Sequence, residues 1–135
     1  MDIVSRVQES FDRQTFLKSM GARLDTVEEG KVSIYLEKNE NLTQQTGFLH
    51  AGVTTSIADS AAGYAALTML PEGCEVLSIE FKVNLLRPAA SDRFLATGRV
   101  IKAGKQVSVV EADVVDLDSG KQVLQFQGTM IAVNP

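Results

Sequence analysis

Several stretches of this chain alternate between apolar and polar residues, and a period of two marks β-strands. Residues 31–37 are the cleanest case. Val32, Ile34 and Leu36 oppose Lys31, Ser33, Tyr35 and Glu37, which predicts one buried and one wet face. Residues 22–27 form a preceding strand, joined to it through Glu28, Glu29 and Gly30. Residues 75–86 set Leu77, Ile79, Phe81, Val83 and Leu85 against Ser78, Glu80, Lys82 and Asn84, so the five apolar side chains are expected on one face. Arg87-Pro88-Ala89-Ala90 breaks that run. Three β-rich stretches follow, 93–101, 105–115 and 121–133, with hairpin loops expected at 102–105 and 116–120.

Elsewhere the period is helical. Residues 2–12 place Ile3, Val7 and Phe11 along one side of a short amphipathic helix. Thr15 is placed to cap a further turn or two through Met20, ended by Gly21. The longest such run starts at His50 and continues for about twenty residues without proline, to the turn Pro71-Glu72-Gly73; a helix of that length spans roughly 30 Å. Val53, Ile57, Ala61, Tyr64 and Thr68 form its apolar stripe. Its opposite side carries Gly52, Thr55, Ser56, Asp59, Ala62, Gly63 and Ala66, nearly all small. A small-residue face expects a close approach by backbone or ligand, and Asp59 in its middle is the anomaly. The order is helix, two strands, one long helix, four long strands. This predicts an α+β fold with segregated elements, in which one helix covers so much sheet only if the sheet curls around it. With no repeats or linkers, residues 1–135 read as a single domain.

Composition narrows the partners. At 135 residues and 14.6 kDa, with 44% hydrophobic and 22% charged residues, the chain is sized for one domain with a core. A net charge of −4 and a pI near 5.0 argue against a nucleic-acid partner, which wants a basic face. The single cysteine, Cys74, excludes an intramolecular disulfide framework and a cysteine zinc site; with one histidine it fits a reducing cytoplasm and no structural metal. The mixed charges of the first twenty residues do not form a signal peptide, and Asp59 among threonines and serines counts against a membrane span. A soluble intracellular domain is expected.

Candidate chemistry gathers at the start of the long helix. His50 is the only histidine, and the N–H groups of Ala51 and Gly52 fall in the first turn, unpaired within the helix and at the positive end of its dipole. Such a terminus polarises a carbonyl as an oxyanion hole does. Gln44 adds a side-chain amide from the preceding loop, and Asp59 adds a carboxylate nine residues after His50. Two plainer readings of Asp59 compete: a solvated helical acid, or a buried one satisfied by the Ser56 or Thr55 hydroxyls.

Gln44-x5-His50-Ala51-Gly52-x6-Asp59 resembles the signature of the hot-dog-fold acyl-CoA thioesterases, in particular the PaaI-like (phenylacetate-degradation) family, with Gly47 and Leu49 also matching its loop. That family carries Asn or Gln, then His-Gly-Gly, then Asp or Glu at these spacings. Here Ala51 replaces the first glycine, keeping the N–H but adding a methyl group. The resemblance implies a curled antiparallel sheet around one central helix and a thioesterase that needs no cofactor. The Ala51 N–H would polarise the thioester carbonyl, with Gly52 N–H as helper, and Asp59 would attack or deprotonate a water. Gln44 would sit near the thioester, and His50 would shape the helix start rather than act as a base. Ser78 would assist from across a subunit interface. Lys102 and Lys105, flanking a hairpin loop, are the candidates for the CoA phosphates. Phe48, Tyr64 and Phe81 are assigned to the core.

The resemblance also implies a homo-oligomer, a dimer or tetramer with sites at the interface, in keeping with sheet edges that must be paired or shielded. A hot-dog dehydratase would need a different His–acid spacing, and a transcriptional sensor would need a DNA-binding segment. The competing function is a non-catalytic acyl-CoA-binding protein, on the ground that Ala51 has spoiled the oxyanion donor.

Overall fold

The computed structural model describes residues 1–134. Helix α1 (Ile3–Asp12) is capped by Asp2, whose side chain accepts from Ser5 N–H at 2.7 Å, and it buries Val7 and Phe11. Helix α2 (Thr15–Ser19) begins with Thr15 already helical; Gln14 is its N-cap and makes no side-chain capping bond, so Thr15 is not the cap the sequence suggested. Gly21, at φ 77°, ends it in the left-handed region that glycine favours.

Strands β1 (Arg23–Glu28) and β2 (Lys31–Glu37) form a hairpin, and a single 3-10 turn (Glu40–Leu42) leads toward the long helix α3 (Ala51–Leu67). Strands β3 (Glu75–Leu85), β4 (Arg93–Ala103), β5 (Val107–Asp116) and β6 (Gln122–Val133) complete one antiparallel sheet in the order β1-β2-β4-β5-β6-β3. The sheet curls about α3, which packs on β2 through β6. The α+β architecture is the expected one, a hot-dog fold.

Helix α3 stops at Leu67 rather than running on to Leu70, so its 17 residues span about 25 Å. Thr68 ends it: its hydroxyl donates to Ala65 C=O at 2.6 Å and accepts from Gly30 N–H at 2.8 Å, tying the β1–β2 turn to the helix C-terminus. The small-residue face explains how the sheet comes so close. A Cβ placed on Gly98 of β4 would lie 2.3 Å from the backbone of both Ala61 and Ala62, so strand and helix backbones are in direct contact there.

One expectation about β3 fails. Ser78 pairs with Met130 and Glu80 with Thr129, leaving Ile79 as an extra residue, a β-bulge. Leu124, Phe126, Gly128 and Met130 of β6 face the core, and directly opposed residues share a face. Their partners are Leu85, Val83, Phe81 and Ser78. The bulge therefore swaps faces: Ser78 joins Phe81, Val83 and Leu85 on the inner side, while Leu77 and Ile79 turn outward, 57% and 54% exposed. Phe81 stacks on Phe126 at 5.0 Å between ring centroids yet stays 43% exposed, because β3 is an edge strand.

The Gly98 contact yields a paired prediction. Gly98→Ala forces backbone against backbone and should destabilise by at least about 1–3 kcal/mol. Gly63→Ala meets only Val76 at 3.4 Å and Met130 at 3.9 Å, an ordinary contact, and gains helix propensity of up to about 1 kcal/mol. Thermal melts of the two variants should move in opposite directions; a Gly98→Ala protein melting with its parent would contradict the packing described.

Candidate active site

The loop before α3 is built to present donors. Gln44 N–H donates to Phe48 C=O at 2.9 Å, and Gly47, at φ 90°, donates its N–H to Gln44 C=O at 3.0 Å, closing a tight turn. The Gln44 side-chain oxygen accepts from both the N–H and the hydroxyl of Thr46. A backbone N–H can only donate, so it fixes which way the Gln44 amide points and leaves the NH2 group free to donate elsewhere. His50 then caps α3: its backbone is extended (φ −61°, ψ 137°) and its Nδ1 accepts from Gly52 N–H at 2.7 Å. An accepting ring nitrogen carries no proton, so the ring proton sits on Nε2.

This geometry supports the shaping role expected of His50. It also removes Gly52 from the oxyanion site, because the cap consumes the Gly52 N–H. Ala51 N–H, by contrast, makes no hydrogen bond among the described residues. It belongs to the wall of an open cleft of about 550 Å³, with Gln44, Phe48, His50, Leu85 and Arg87. Phe48 is 36% exposed on this cleft rather than in the core. Arg87, which the sequence showed only as a strand breaker, is the cation of this wall; its Nη1 donates to Gln122 C=O at 2.6 Å.

Asp59 sits in a second cleft, of about 360 Å³, between α3, β3 and the N-terminal helices. It is half-buried, and neither Ser56 nor Thr55 satisfies it: Ser56 donates to Gly52 C=O instead. Its partner is Ser78, whose hydroxyl donates to Oδ1 at 2.6 Å, while Oδ2 accepts no hydrogen bond among the described residues. Met130 Sδ lies 3.2 Å from the same hydroxyl, but its one hydrogen goes to the stronger, anionic acceptor. Ser78 thus meets Asp59 of its own chain, not across an interface, and it reaches inward only because of the bulge at Ile79. Burial raises the Asp59 carboxyl above its ordinary value, and the Ser78 hydrogen bond opposes part of that rise. A carboxylate of raised basicity is better suited to take a proton near neutrality.

The predicted residues therefore fall into two groups. Gln44, His50 and Ala51 supply donors in one cleft, and Asp59 and Ser78 supply a carboxylate and hydroxyl in the other. Ala51 and Asp59 are eight residues apart on one helix, a rise of about 12 Å. Lys102 and Lys105 line neither cleft. Their hairpin lies toward the C-terminal end of α3, where Val100 N–H bonds Gly30 C=O and Gly30 N–H bonds Thr68. Tyr64, assigned to the core, is buried but also lines the Asp59 cleft, as do Ser10 and Gln14, which no sequence signal marked. Among the described residues no group of three His, Cys, Asp or Glu side chains could hold a metal, and no helix is long and apolar enough to cross a membrane.

Comparison with known proteins places these features in a family. The thioesterase superfamily profile matches residues 46–123, the span from the donor loop to the start of β6. A crystal structure of a thioesterase family protein from Silicibacter pomeroyi is 37% identical, covers 98% of this chain and 99% of its own, and superposes with a TM-score of 0.95. A protein of Saccharolobus solfataricus that carries an esterase name is 33% identical over 86% of this chain and 77% of its own length. The 1,4-dihydroxy-2-naphthoyl-CoA hydrolase of Listeria monocytogenes is 30% identical over 73% of this chain and 80% of its own. A curled sheet around one helix, a capped helix N-terminus with a free N–H, and a profile match over more than half the chain lead to one conclusion: the protein belongs to the thioesterase superfamily and is a thioester hydrolase.

Proposed function

We propose that the protein hydrolyses an acyl-CoA thioester to free acid and CoA, as a PaaI-like member of its superfamily, at sites built by two copies of the chain. The observation that carries this reading is Asp59, a half-buried carboxylate of raised pKa, held on one oxygen by Ser78 and open on the other. In the proposed reaction the thioester carbonyl accepts from Ala51 N–H and the Gln44 amide, which stabilise the charge that develops on oxygen. In one route the free oxygen of Asp59 takes a proton from a water that attacks the carbonyl carbon; the C–S bond then breaks and the proton passes to the departing CoA thiolate. In the other it attacks the carbon itself, expelling the thiolate and leaving a mixed anhydride that a water hydrolyses to the free acid and the Asp59 carboxylate. Ala51 is helical and has no positive φ, so its methyl group leaves the N–H usable, which argues for turnover over mere binding.

Distance supports a site shared by two copies. A carbonyl carbon within reach of both an oxyanion donor and a base needs them about 3 Å away on either side, and one helix sets Ala51 and Asp59 about 12 Å apart along its axis. The exposed edge of β3, with Leu77, Ile79, Phe81 and Leu85 between 43% and 59% exposed, is where a second copy would add. A two-fold pair that keeps both helices on one face of the joined sheet runs β3 antiparallel to its mate. The C-terminal end of the second α3 then lies toward Ala51. In this arrangement we assign Lys102 and Lys105 of the second copy, together with Arg87, to the CoA phosphates. The cytoplasm, where acyl-CoA is made and used, is the proposed compartment.

Thiol release from a panel of acyl-CoA substrates tests the activity, and three variants test the site. Because fold burial favours the protonated form of Asp59, the fold gains most below the ordinary carboxyl pKa of 3.8 and loses that gain as pH rises through the raised value. At neutral pH, Asp59→Asn should therefore melt no lower than the parent while turnover drops on the order of 10²-fold or more. Catalysis by the parent should fall as pH drops through the same raised value. A less stable, fully active Asp59→Asn protein would remove Asp59 from the mechanism.

Ala51→Pro deletes the proposed donor at the first helical position, where proline fits, and the extended His50 backbone suits a residue before proline. It should cost about 2.7–4 kcal/mol in kcat, a loss of roughly 10²–10³. Co-expressing differently tagged Asp59→Asn and Ala51→Pro chains and purifying the mixed oligomer gives one site with neither lesion. Activity should reappear in the mixture, whereas a site contained in one chain would stay dead.

A further inference from the structure

Strand β3 is folded against its own pattern. Leu77, Ile79, Phe81, Val83 and Leu85 alternate without a break, yet the bulge at Ile79 divides them, three inward and two outward. Leu77 and Ile79 are left more than half exposed. An edge strand held by one neighbour has a second choice of register. Sliding residues 75–79 by one place against β6 removes the bulge and sets Ile79 opposite Met130. On the inner side the slide exchanges Val76 and Ser78 for Leu77 and Ile79, so apolar burial favours it. Ile79 would then stand beside Asp59 in place of Ser78, in a cleft of about 360 Å³ with room for it. The Ser78–Asp59 hydrogen bond therefore needs the bulge, and something must hold the bulge in place.

The turn before β3 supplies the hold. Arg6 of α1 donates Nη1 to Leu70 C=O at 2.6 Å, and Nη2 to Pro71 C=O at 2.7 Å and Cys74 C=O at 3.2 Å. One guanidinium thus spans the turn from its first residues to the one before Glu75, and its charge strengthens each bond. The slide would feed Glu75 into this turn and carry Cys74 about 3.3 Å along, out of reach of Arg6. We propose that Arg6 and Ile79 are positioning residues for the active site: the Arg6 clasp holds β3 in its bulged register, in which Ser78 and not Ile79 faces Asp59. Arg6 lines neither cleft and acts through a turn and a strand. The kinetic consequence rests on the acyl-CoA hydrolase reading; the register itself is read without substrate.

Arg6→Met tests the clasp, because it keeps an aliphatic stem and removes all three hydrogen bonds. One readout is the nuclear Overhauser contact between the Ile79 and Met130 methyl groups. It should be absent in the parent, where the two lie on opposite faces of the sheet, and appear in Arg6→Met. The other is the acid limb of kcat. Ser78 lowers the Asp59 pKa and burial raises it, so exchanging Ser78 for Ile79 should move the limb to higher pH, at least as far as Ser78→Ala does. Deleting Ile79 provides the control. It leaves Ser78 against Met130 and Glu80 against Thr129 in unbroken alternation, with no bulge for a slide to remove. Arg6→Met in that chain should leave the limb where the deletion alone puts it. Arg6→Lys, which keeps the charge without the fork, is the second variant should Arg6→Met fold poorly, and it should shift both readouts in the same direction. A lower melting temperature with limb and methyl contact unmoved overturns the clasp, as does a limb shift that survives deletion of Ile79. A parent that releases no thiol from acyl-CoA would sink the hydrolase, and the methyl contact alone would then decide the clasp. Hydrolysis by the parent with no register change in either Arg6 variant would do the reverse.

Discussion

The structure depends on how closely the sheet approaches its central helix. Gly98 sits midway along β4, paired with Val32 on one side and Ala112 on the other, and its missing side chain lets the strand rest on the backbone at Ala61 and Ala62. A sheet can curl fully around one helix only if the contact surface is thin, and glycine set against the backbone of two alanines leaves no strand side chain between the two elements. The C-terminal half of α3, from Ala61 to Leu67, is accordingly buried. Its N-terminal half emerges between the sheet and the loop, where Gly52, Thr55, Ser56 and Asp59 are not fully buried.

That emergence exposes the candidate site. A helix N-terminus must leave N–H groups without intrahelical partners, and the chain deals with them unequally. His50 takes the Gly52 N–H as a cap, Val53 N–H bonds the His50 C=O at 2.9 Å, and Ala51 keeps its donor open to a cleft. Two turns along, desolvation works against an ionised Asp59, and a carboxylate held at that cost beside a cleft is a candidate for chemistry. Ser78 limits the penalty by one hydrogen bond without enclosing the second oxygen. The N-terminal helices shape the other end of the same cleft: Arg6 donates to the carbonyls of Leu70, Pro71 and Cys74, locking α1 against the turn after α3. Ser10 and Gln14, both bonded to Tyr64, are thereby held on the wall of the Asp59 cleft.

Donors in one cleft and acceptors in the other are complementary halves that a straight helix cannot bring together. The long apolar edge of β3 lies beside the Asp59 half, and Leu85 at its far end reaches the wall of the Ala51 half. In the proposed pairing, assembly along that edge and completion of the site would be a single event, and turnover would depend on oligomerisation.

What the sequence determined by itself was local. Alternation in β2 and the 3.6-residue period of α3 set the elements, because a strand or helix needs only its own side chains to show which face is apolar. The positions of Gln44, His50, Ala51 and Asp59 followed from loop and helix spacing in the same way. Tertiary structure decided whatever depended on a neighbour distant in sequence. The extra residue Ile79 is invisible in the pattern of β3, since only the register against β6 shows that Ser78 turns inward to Asp59 and Leu77 turns out. The capture of Gly52 N–H required the rotamer of His50, and the hydrogen bonds of the Tyr64 hydroxyl required α1 to deliver Ser10, 54 residues away. Lys102 and Lys105 were marked by their charge, which is legible in a sequence; their place at the other end of α3 from Ala51 is set by long-range strand pairing, which is not.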